Sequence, residues 1–222
     1  MQVSNSDLDD WKKLRWSLIF LKNTIDEKRI IGAMSLSDLY TWIDFSYAVH
    51  ENMQGHTGGA MSMSFGIIHG KRSKQKLNLK SSMEPNLFGF SEYLPYNLWM
   101  LLFMEAQGYG IVNNTIYQVN QSTIRMLKNR KNMCTENSRH INIRYFFIMD
   151  QIKNKNIVIE YCPTKNMIAD YFTKPLKGKL FYNFRDQILG LVPIEGIHSD
   201  HRSVLESKLT LGKNESANNV CG

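Results

Sequence analysis

The last third of the chain reads RHINIRYFF at residues 139–147, IVIEYCPTKNMIADYFTKPL at residues 157–176 and LFYNFRD at residues 180–186. Ser138 can cap a helix over residues 139–152, and the β-branched residues at 157–161 predict a strand. Short helices are expected over residues 167–172 and 180–189, after a proline turn. A strand with helices before and after it is typical of an α/β domain.

Four further strands are expected upstream of that segment. They are predicted over residues 39–47, 58–68, 71–79 and 114–119, where aromatic and β-branched residues or glycine-containing turns mark them. The first three follow one another closely, which favours an antiparallel meander. Together with the strand at residues 157–161, they predict a mixed five-stranded sheet flanked by helices.

Two helices are predicted between those strands. Apolar residues at helical spacing indicate a long helix over residues 84–107, and Asn120 can cap a shorter one through residue 128. Pro85 suits the first turn of the long helix, whereas Pro95 is expected to kink or interrupt it.

A separate helix is predicted near the N terminus. Asp7 can cap a helix over residues 8–23. Its apolar residues recur every three or four positions and form a stripe that needs a partner surface: Trp11, Leu14, Leu18 and Leu21.

Length and composition suit one globular domain with flanking pieces. The chain has 222 residues, of which 43% are hydrophobic and 21% charged, and a domain of about 150 residues can bury a substantial core. No apolar run approaches the roughly 20 residues of a membrane span. Three scattered cysteines and the lack of a basic-then-apolar leader at Met1 predict an intracellular protein with reduced thiols.

The formal net charge is +7, a moderate excess that favours polyanionic partners without establishing them. Strand alternation would place four basic residues on one face, where they could follow nucleic-acid phosphates: Arg72, Lys74, Lys76 and Lys80. The alternative interpretation is an ordinary solvated strand face.

Several short motifs occur in the order found in one known family. They are Trp42-Ile43-Asp44, His56-Thr57-Gly58-Gly59, Ser73-Lys74-Gln75-Lys76, Arg139-His140, Arg144-Tyr145, Ala169-Asp170 and Thr173-Lys174-Pro175-Leu176. In this order they resemble the ribonuclease H domain that closes the Pol polyprotein of Ty1/copia-type retrotransposons. The resemblance extends from residue 11 to about residue 191 and implies a ribonuclease H-like α/β fold.

The resemblance implies hydrolysis of the RNA strand of RNA–DNA hybrids by two Mg²⁺ ions held between four carboxylates. Two neighbouring cations repel each other, so hard anionic oxygen ligands must surround them. By the resemblance, Asp44 supplies the first carboxylate and Asp170 the last, and these are the predicted catalytic and metal-binding residues. The implied partners are an RNA–DNA hybrid and the reverse transcriptase domain of the same polyprotein.

The other two carboxylate positions depart from the family pattern. Asn86 stands where a glutamate is expected, and Val119 stands where an aspartate is expected. Glu84 is the candidate substitute, but it lies two residues from Asn86, about 200° around a helix, and should point elsewhere. Asp44 and Asp170 supply a charge of −2 instead of −4, so we expect hydrolysis to be severely impaired.

Three interpretations follow: an active nuclease with a rearranged site, a non-catalytic nucleic-acid-binding module, or an unselected retroelement fragment. We predict a remnant of the connection to reverse transcriptase at residues 1–36, a ribonuclease H-like domain at residues 37–191 and a disordered tail at residues 192–222. The expected locations are the cytoplasm, a virus-like particle or the nucleus, without a membrane.

Overall fold

The computed structural model describes residues 7–46, 55–75, 83–128, 139–154, 156–194 and 197. The helices are α1 (Leu8–Asn23), α2 (Met83–Ala106), α3 (Gln121–Lys128), α4 (Arg139–Lys153), α5 (Asp170–Thr173) and α6 (Gly178–Leu189), with a 3-10 turn at Thr164–Asn166. The strands are β1 (Gly32–Ala33), β2 (Asp38–Ser46), β3 (His56–Ser62), β4 (Ser64–Phe65), β5 (His69–Lys74), β6 (Asn113–Gln118) and β7 (Val158–Tyr161).

Five strands form the main sheet, in the order β5-β3-β2-β6-β7. β2, β3 and β5 are antiparallel neighbours, which confirms the predicted meander, whereas β6 and β7 run parallel to β2. Parallel strands need crossover connections; α2 supplies the first, and α3 with α4 supplies the second. The predicted ribonuclease H-like α/β fold, a mixed five-stranded sheet flanked by helices, is confirmed.

Each face of the sheet carries its own core because side chains alternate along a strand. Ile43 of β2 belongs to the core under α2, α3 and α4, where it is buried together with Phe90. Trp42, one residue earlier, belongs to the core on the opposite face, together with Phe184 of α6. Burying one such side chain contributes about 1.5–3 kcal/mol, so both layers of helices are held by apolar contact with β2.

Adjacent glycines in β3 allow one helix to approach each face closely. A Cβ atom at Gly58 would lie 2.6 Å from Thr173 Cγ2 and 3.0 Å from the carbonyl oxygen of Ala169, which precedes α5. A Cβ atom at Gly59 would overlap the ring of Tyr93 in α2. The Gly58-Gly59 pair therefore sets how near α5 and α2 come to the sheet.

A buried polar cluster fixes α2 along the sheet. The side-chain nitrogen of Asn97, a fully buried residue, donates to Thr41 Oγ1 at 2.9 Å and to Asn114 Oδ1 at 2.8 Å. Asn114 returns a hydrogen bond to Asn97 Oδ1 at 2.8 Å. Buried amides need such partners, so this cluster fixes the helix position relative to β2 and β6.

Helix α1 has the predicted bounds but not the predicted packing. The Asp7 carboxylate accepts from the backbone N–H groups of Asp9 and Asp10, and the Asp10 side chain completes a capping box. The apolar stripe is not buried against the described residues, since its members are 50–64% exposed: Trp11, Leu14, Leu18 and Leu21. Within the described part of the chain no surface buries this stripe, so the predicted need for a partner surface stays a prediction.

The segment that follows α1 is attached to the domain. The backbone N–H of Ile30 donates to the carbonyl of Leu189 at 2.7 Å, and β1 pairs with β4. Gly66 and Gly190 have φ values of 63° and 74°, and a Cβ atom at either position would overlap the carbonyl oxygen of Ile30. Glycine is needed at these two positions both for the backbone conformation and for the close approach.

Three elements differ from their predictions. The strand predicted over residues 58–68 ends at Ser62, because the chain turns at Ser64, which has a φ of 114°. Of the kink or interruption predicted at Pro95, the interruption is wrong: α2 continues through this exposed residue. The helix predicted over residues 167–172 begins only at Asp170, as α5, and a 3-10 turn at Thr164–Asn166 precedes it.

Some predictions concern residues outside the described part of the chain. They are the end of the third strand at residues 76–79, the Ser138 cap and most of the tail at residues 192–222. Among the described residues, no helix has the length and apolar character needed to cross a membrane.

Candidate functional site

Asp44 and Asp170 lie together, as the resemblance predicted for the first and last carboxylates. Asp44 is near the end of β2 and 6% exposed, and Asp170 begins α5 and is 1% exposed. Thr173, one turn after Asp170, donates its hydroxyl hydrogen to Asp44 Oδ2 at 2.5 Å. α5 can reach this position because Gly58, the β3 partner of Asp44, has no side chain.

The ammonium group of Lys174 contacts both carboxylates. Its Nζ lies 2.7 Å from Asp170 Oδ1 and 3.6 Å from Asp44 Oδ2. Asp170 Oδ1 accepts no hydrogen bond of good geometry from the described residues, so the ion pair is the contact that compensates its burial. The site thus contains two buried negative charges and one partly exposed positive charge.

The pKa of Asp170 reflects this environment. It is raised from 3.8 to about 6: burial is the largest cause, the Asp44 carboxylate acts in the same direction, and Lys174 opposes both effects. Burial dominates because removing a carboxylate from water disfavours its charged form. Asp170 is therefore a destabilised anion whose charge depends on the neighbouring cation.

Val119 lies beside the carboxylate pair. β2 and β6 are parallel and pair as far as Trp42 and Tyr117. Val119, two residues after Tyr117, packs against the core that contains Trp42 and Ala169, the residue before Asp170. The two aromatic rings stack with centroids 5.4 Å apart, which shows that this face is shared by both strands. The side chain at the third carboxylate position therefore provides a hydrocarbon surface and no oxygen.

Asn86 lies at the same end of the sheet, in the first two turns of α2. It is partly buried, and Gly89, three residues later, faces the Thr57 side chain of β3. Thr57 pairs with Phe45, the residue after Asp44. The structure does not describe the side chain of Glu84, so the role of Glu84 as a substitute ligand stays a prediction.

Two basic residues of β5, Arg72 and Lys74, share a face with Asp44. Asp44 pairs with Gly58 and Gly58 pairs with Arg72, and directly paired residues project to the same side of a sheet. Lys74 follows Arg72 by two residues and is likewise exposed on that face, whereas Lys76 and Lys80 are outside the described residues. Two strand spacings separate Asp44 from Arg72, roughly 10 Å.

Arg72 is held in place by a neighbour on β3. Its Nε donates to His56 Nε2 at 2.7 Å, so that ring nitrogen is an acceptor and carries no proton in this arrangement. Among the described residues, the other N–H groups of the guanidinium make no hydrogen bond. The predicted role of Arg72 in binding phosphates is compatible with this geometry.

The described residues do not fit a pair of divalent ions. Outside the gaps, no group of three or more histidine, cysteine, aspartate or glutamate side chains comes together. Val119 has a methyl-bearing side chain at the position where the resemblance implies an oxygen ligand, and Lys174 places a positive charge against Asp44 and Asp170. The described side chains therefore contain no ligand set for a second Mg²⁺.

Sequence reasoning missed two residues of the site. Thr173 and Lys174 were recognised only as part of a motif, and neither was assigned a contact with a carboxylate. The spacing of Asp170 and Lys174 is the i,i+4 spacing of a helical ion pair, which is a signal that could have indicated the pairing. The contact between Thr173 and Asp44 spans 129 residues, and no local pattern predicts it.

The five-stranded mixed sheet with helices on both faces defines an α/β domain of the predicted fold class. No family model matches the chain. The Pol polyprotein of the transposon TNT 1-94 of Nicotiana tabacum is 24% identical over 180 residues, which are 81% of this chain and 13% of that protein. The Gag-Pol polyprotein of the transposon Ty1-JR1 of Saccharomyces cerevisiae is 27% identical over 139 residues, which are 62% of this chain and 8% of that protein.

These relatives confirm the resemblance to copia-type Pol polyproteins. The chain spans 13% or less of the length of both curated relatives. Among solved structures, LC11-RNase H1, isolated from compost, gives a TM-score of 0.44 at 10% identity and covers 60% of this chain and 91% of its own. The protease-reverse transcriptase of prototype foamy virus gives a TM-score of 0.39 at 8% identity and covers 72% of this chain and 21% of its own.

Proposed function

We propose that this chain is the ribonuclease H-type domain of a copia-like Pol polyprotein, and that it binds RNA–DNA hybrids but hydrolyses them poorly or not at all. One observation carries the proposal: Asp44 shares one sheet face with Arg72 and Lys74, and Val119 packs against the core on that face. The face thus keeps the first carboxylate and basic residues but lacks the third carboxylate.

Hybrid binding is supported by charge and spacing. Arg72 and Lys74 are exposed and two residues apart on β5, a separation of about 6.6 Å along a strand. Successive phosphates of a nucleic-acid strand lie at a comparable distance, so two basic side chains on one face can contact one strand. Such contacts release counterions and give an affinity that falls with salt concentration.

Impaired hydrolysis is supported by the number of anionic ligands. Two divalent ions bring a charge of +4, whereas Asp44 and Asp170 bring −2, and Lys174 reduces the net charge of the group to −1. Neither Asn86 nor Val119 adds an anion. Because the chemistry of a two-metal site depends on positioning the attacking and leaving oxygens, loss of one ion removes most of the expected rate.

The remaining assignments follow from the place of the domain in a larger polyprotein. We assign residues 37–191 to the ribonuclease H-like domain and residues 1–36 to a remnant of the connection to reverse transcriptase. The exposed apolar stripe of α1 supports this assignment, since an upstream domain could cover it. The reverse transcriptase domain of the same polyprotein is the proposed protein partner.

Hybrid binding can be tested by fluorescence anisotropy with a labelled RNA–DNA hybrid over a range of salt concentrations. The variant Arg72→Ala/Lys74→Ala should reduce the slope of log affinity against log salt by about 1–2. Lys12→Ala/Lys22→Ala, which removes two lysines from α1, is the matched control and should keep the original slope. An unchanged slope in the first variant would contradict binding on this face.

The same titration distinguishes a binding module from an unselected fragment. A binding module should prefer the hybrid over single-stranded DNA of equal length and should lose that preference in the β5 variant. A fragment without selected activity should show no preference among nucleic acids. The exposed Arg72 and Lys74 on the Asp44 face favour the binding module.

A further inference from the structure

The position of Lys174 is set by its own local sequence. Its backbone has φ −122° and ψ 144° at the end of α5, and its N–H donates to the Asp170 carbonyl at 2.9 Å. The next residue is Pro175, and a residue before proline is restricted to this extended region. Pro175 therefore holds Lys174 in the conformation from which the ammonium group reaches both carboxylates.

The carboxylate pair requires a positive partner to be buried. The side chains of Asp44 and Asp170 are 8% and 1% exposed, and that of Lys174 is 39% exposed. Two neighbouring buried carboxylates without a cation would be strongly unfavourable. Lys174 supplies that cation from within the chain and remains open to water on one side.

We propose that the Lys174 ammonium group is the built-in cation of the Asp44–Asp170 pair and takes the place of a divalent ion, so that the domain folds without metal. With Lys174 in place, the group has a net charge of −1. This charge attracts a divalent ion only weakly, and the ion must lose bound water to enter the site. Without Lys174, the group has a charge of −2 and an open position between two oxygens. This inference concerns the cation of the site alone and does not depend on nucleic-acid binding.

Binding of Mn²⁺ to the full chain tests the exchange directly. Electron paramagnetic resonance of free Mn²⁺ reports the dissociation constant without any nuclease activity. Lys174→Gln should bind Mn²⁺ about tenfold more tightly than the unaltered chain, because one positive charge leaves the ion position. Lys177→Gln removes the same charge from an exposed residue three positions along and should stay within about threefold of the unaltered chain.

Thermal unfolding in EDTA and in Mn²⁺ provides the second readout. For the unaltered chain, and for Lys174→Arg, which keeps the charge, the unfolding temperature in EDTA should equal that in Mn²⁺. Lys174→Gln should unfold at a lower temperature in EDTA, and Mn²⁺ should restore its unfolding temperature. If this variant does not fold in EDTA at all, Mn²⁺ should restore folding. Failure of Mn²⁺ to restore it would overturn the proposal.

Two results with the unaltered chain would also overturn the proposal. One is Mn²⁺ binding as tight as that of Lys174→Gln. The other is a rise in its unfolding temperature when Mn²⁺ is added. Either result would mean that a divalent ion displaces Lys174 from the two carboxylates, so that Lys174 is not their cation.

Discussion

Replacing Gly58 with alanine should separate α5 from the sheet and destabilise the domain. The added Cβ atom would lie 2.6 Å from Thr173 Cγ2, 3.0 Å from the Ala169 carbonyl oxygen and 3.0 Å from Phe172 Cβ. Two of these neighbours are a backbone atom and a Cβ atom, so rotation of a side chain cannot relieve the contact. Extra atoms in a packed interior cost about 1–3 kcal/mol, which corresponds to roughly 2–12 °C in Tm for a domain of this size.

Urea unfolding followed by circular dichroism measures the difference in the free energy of unfolding. Gly110→Ala is the matched control, because nothing lies within 4 Å of its added Cβ atom and its backbone is not left-handed. The control should change the free energy of unfolding by no more than about 0.5 kcal/mol. Equal stabilities of Gly58→Ala and Gly110→Ala would refute the close approach of α5, and with it the described contact between Thr173 and Asp44.

Three further substitutions test the polar contacts. Thr173→Val removes the hydroxyl that donates to Asp44 and should cost about 1.5–3 kcal/mol in urea unfolding, whereas Thr173→Ser should retain most of the stability. Asn97→Ala leaves the buried Asn114 amide without its partner and should cost about 1–3 kcal/mol for that amide alone. Asp170→Asn should remove a pH dependence of the free energy of unfolding. Folding raises the pKa of Asp170 from 3.8 to about 6, so the folded state binds this proton more tightly than the unfolded state does. The stabilisation from that proton is present below about pH 4 and is lost as pH rises to about 6. The difference between unfolding curves of the two proteins from pH 4 to pH 7 isolates this effect, and parallel pH profiles would contradict it.

The sheet and most helix bounds could be predicted from the sequence because they depend on local patterns. Asp7 and Asn120 cap helices where their side chains suggested, and the meander follows from closely spaced strands with short turns. The turn at Ser64 could not be predicted. A glycine in the sequence indicates a possible positive φ, whereas a serine does not, and Ser64 has a positive φ. The interruption predicted at Pro95 does not occur. Pro95 lies on the exposed side of α2, and which side of a helix is exposed depends on tertiary packing.

The candidate site could be predicted only in part, for a similar reason. Asp44, Asp170 and Val119 were located through motifs, and the structure brings the two aspartates together through Thr173 and Lys174. The ion pair with Lys174 could not be derived from residue types alone, since lysine in a motif rich in lysine is usually solvated. It depends on the position of α5 above Gly58, a contact between segments more than 100 residues apart.

Cleavage of a labelled RNA–DNA hybrid is the most direct measurement of the proposed loss of catalysis. The unaltered chain and the variant Asn86→Glu/Val119→Asp should be compared in Mg²⁺ and in Mn²⁺, with circular dichroism to establish that both are folded. Restoring two carboxylates changes the net charge of the group, with Lys174 in place, from −1 to −3, which should attract divalent ions and return cleavage. The unaltered chain should remain at background. Cleavage by the unaltered chain at a rate similar to that of the double variant would contradict the assignment of Asn86 and Val119 as lost ligands, and a folded but inactive double variant would contradict the proposed ancestry of the site.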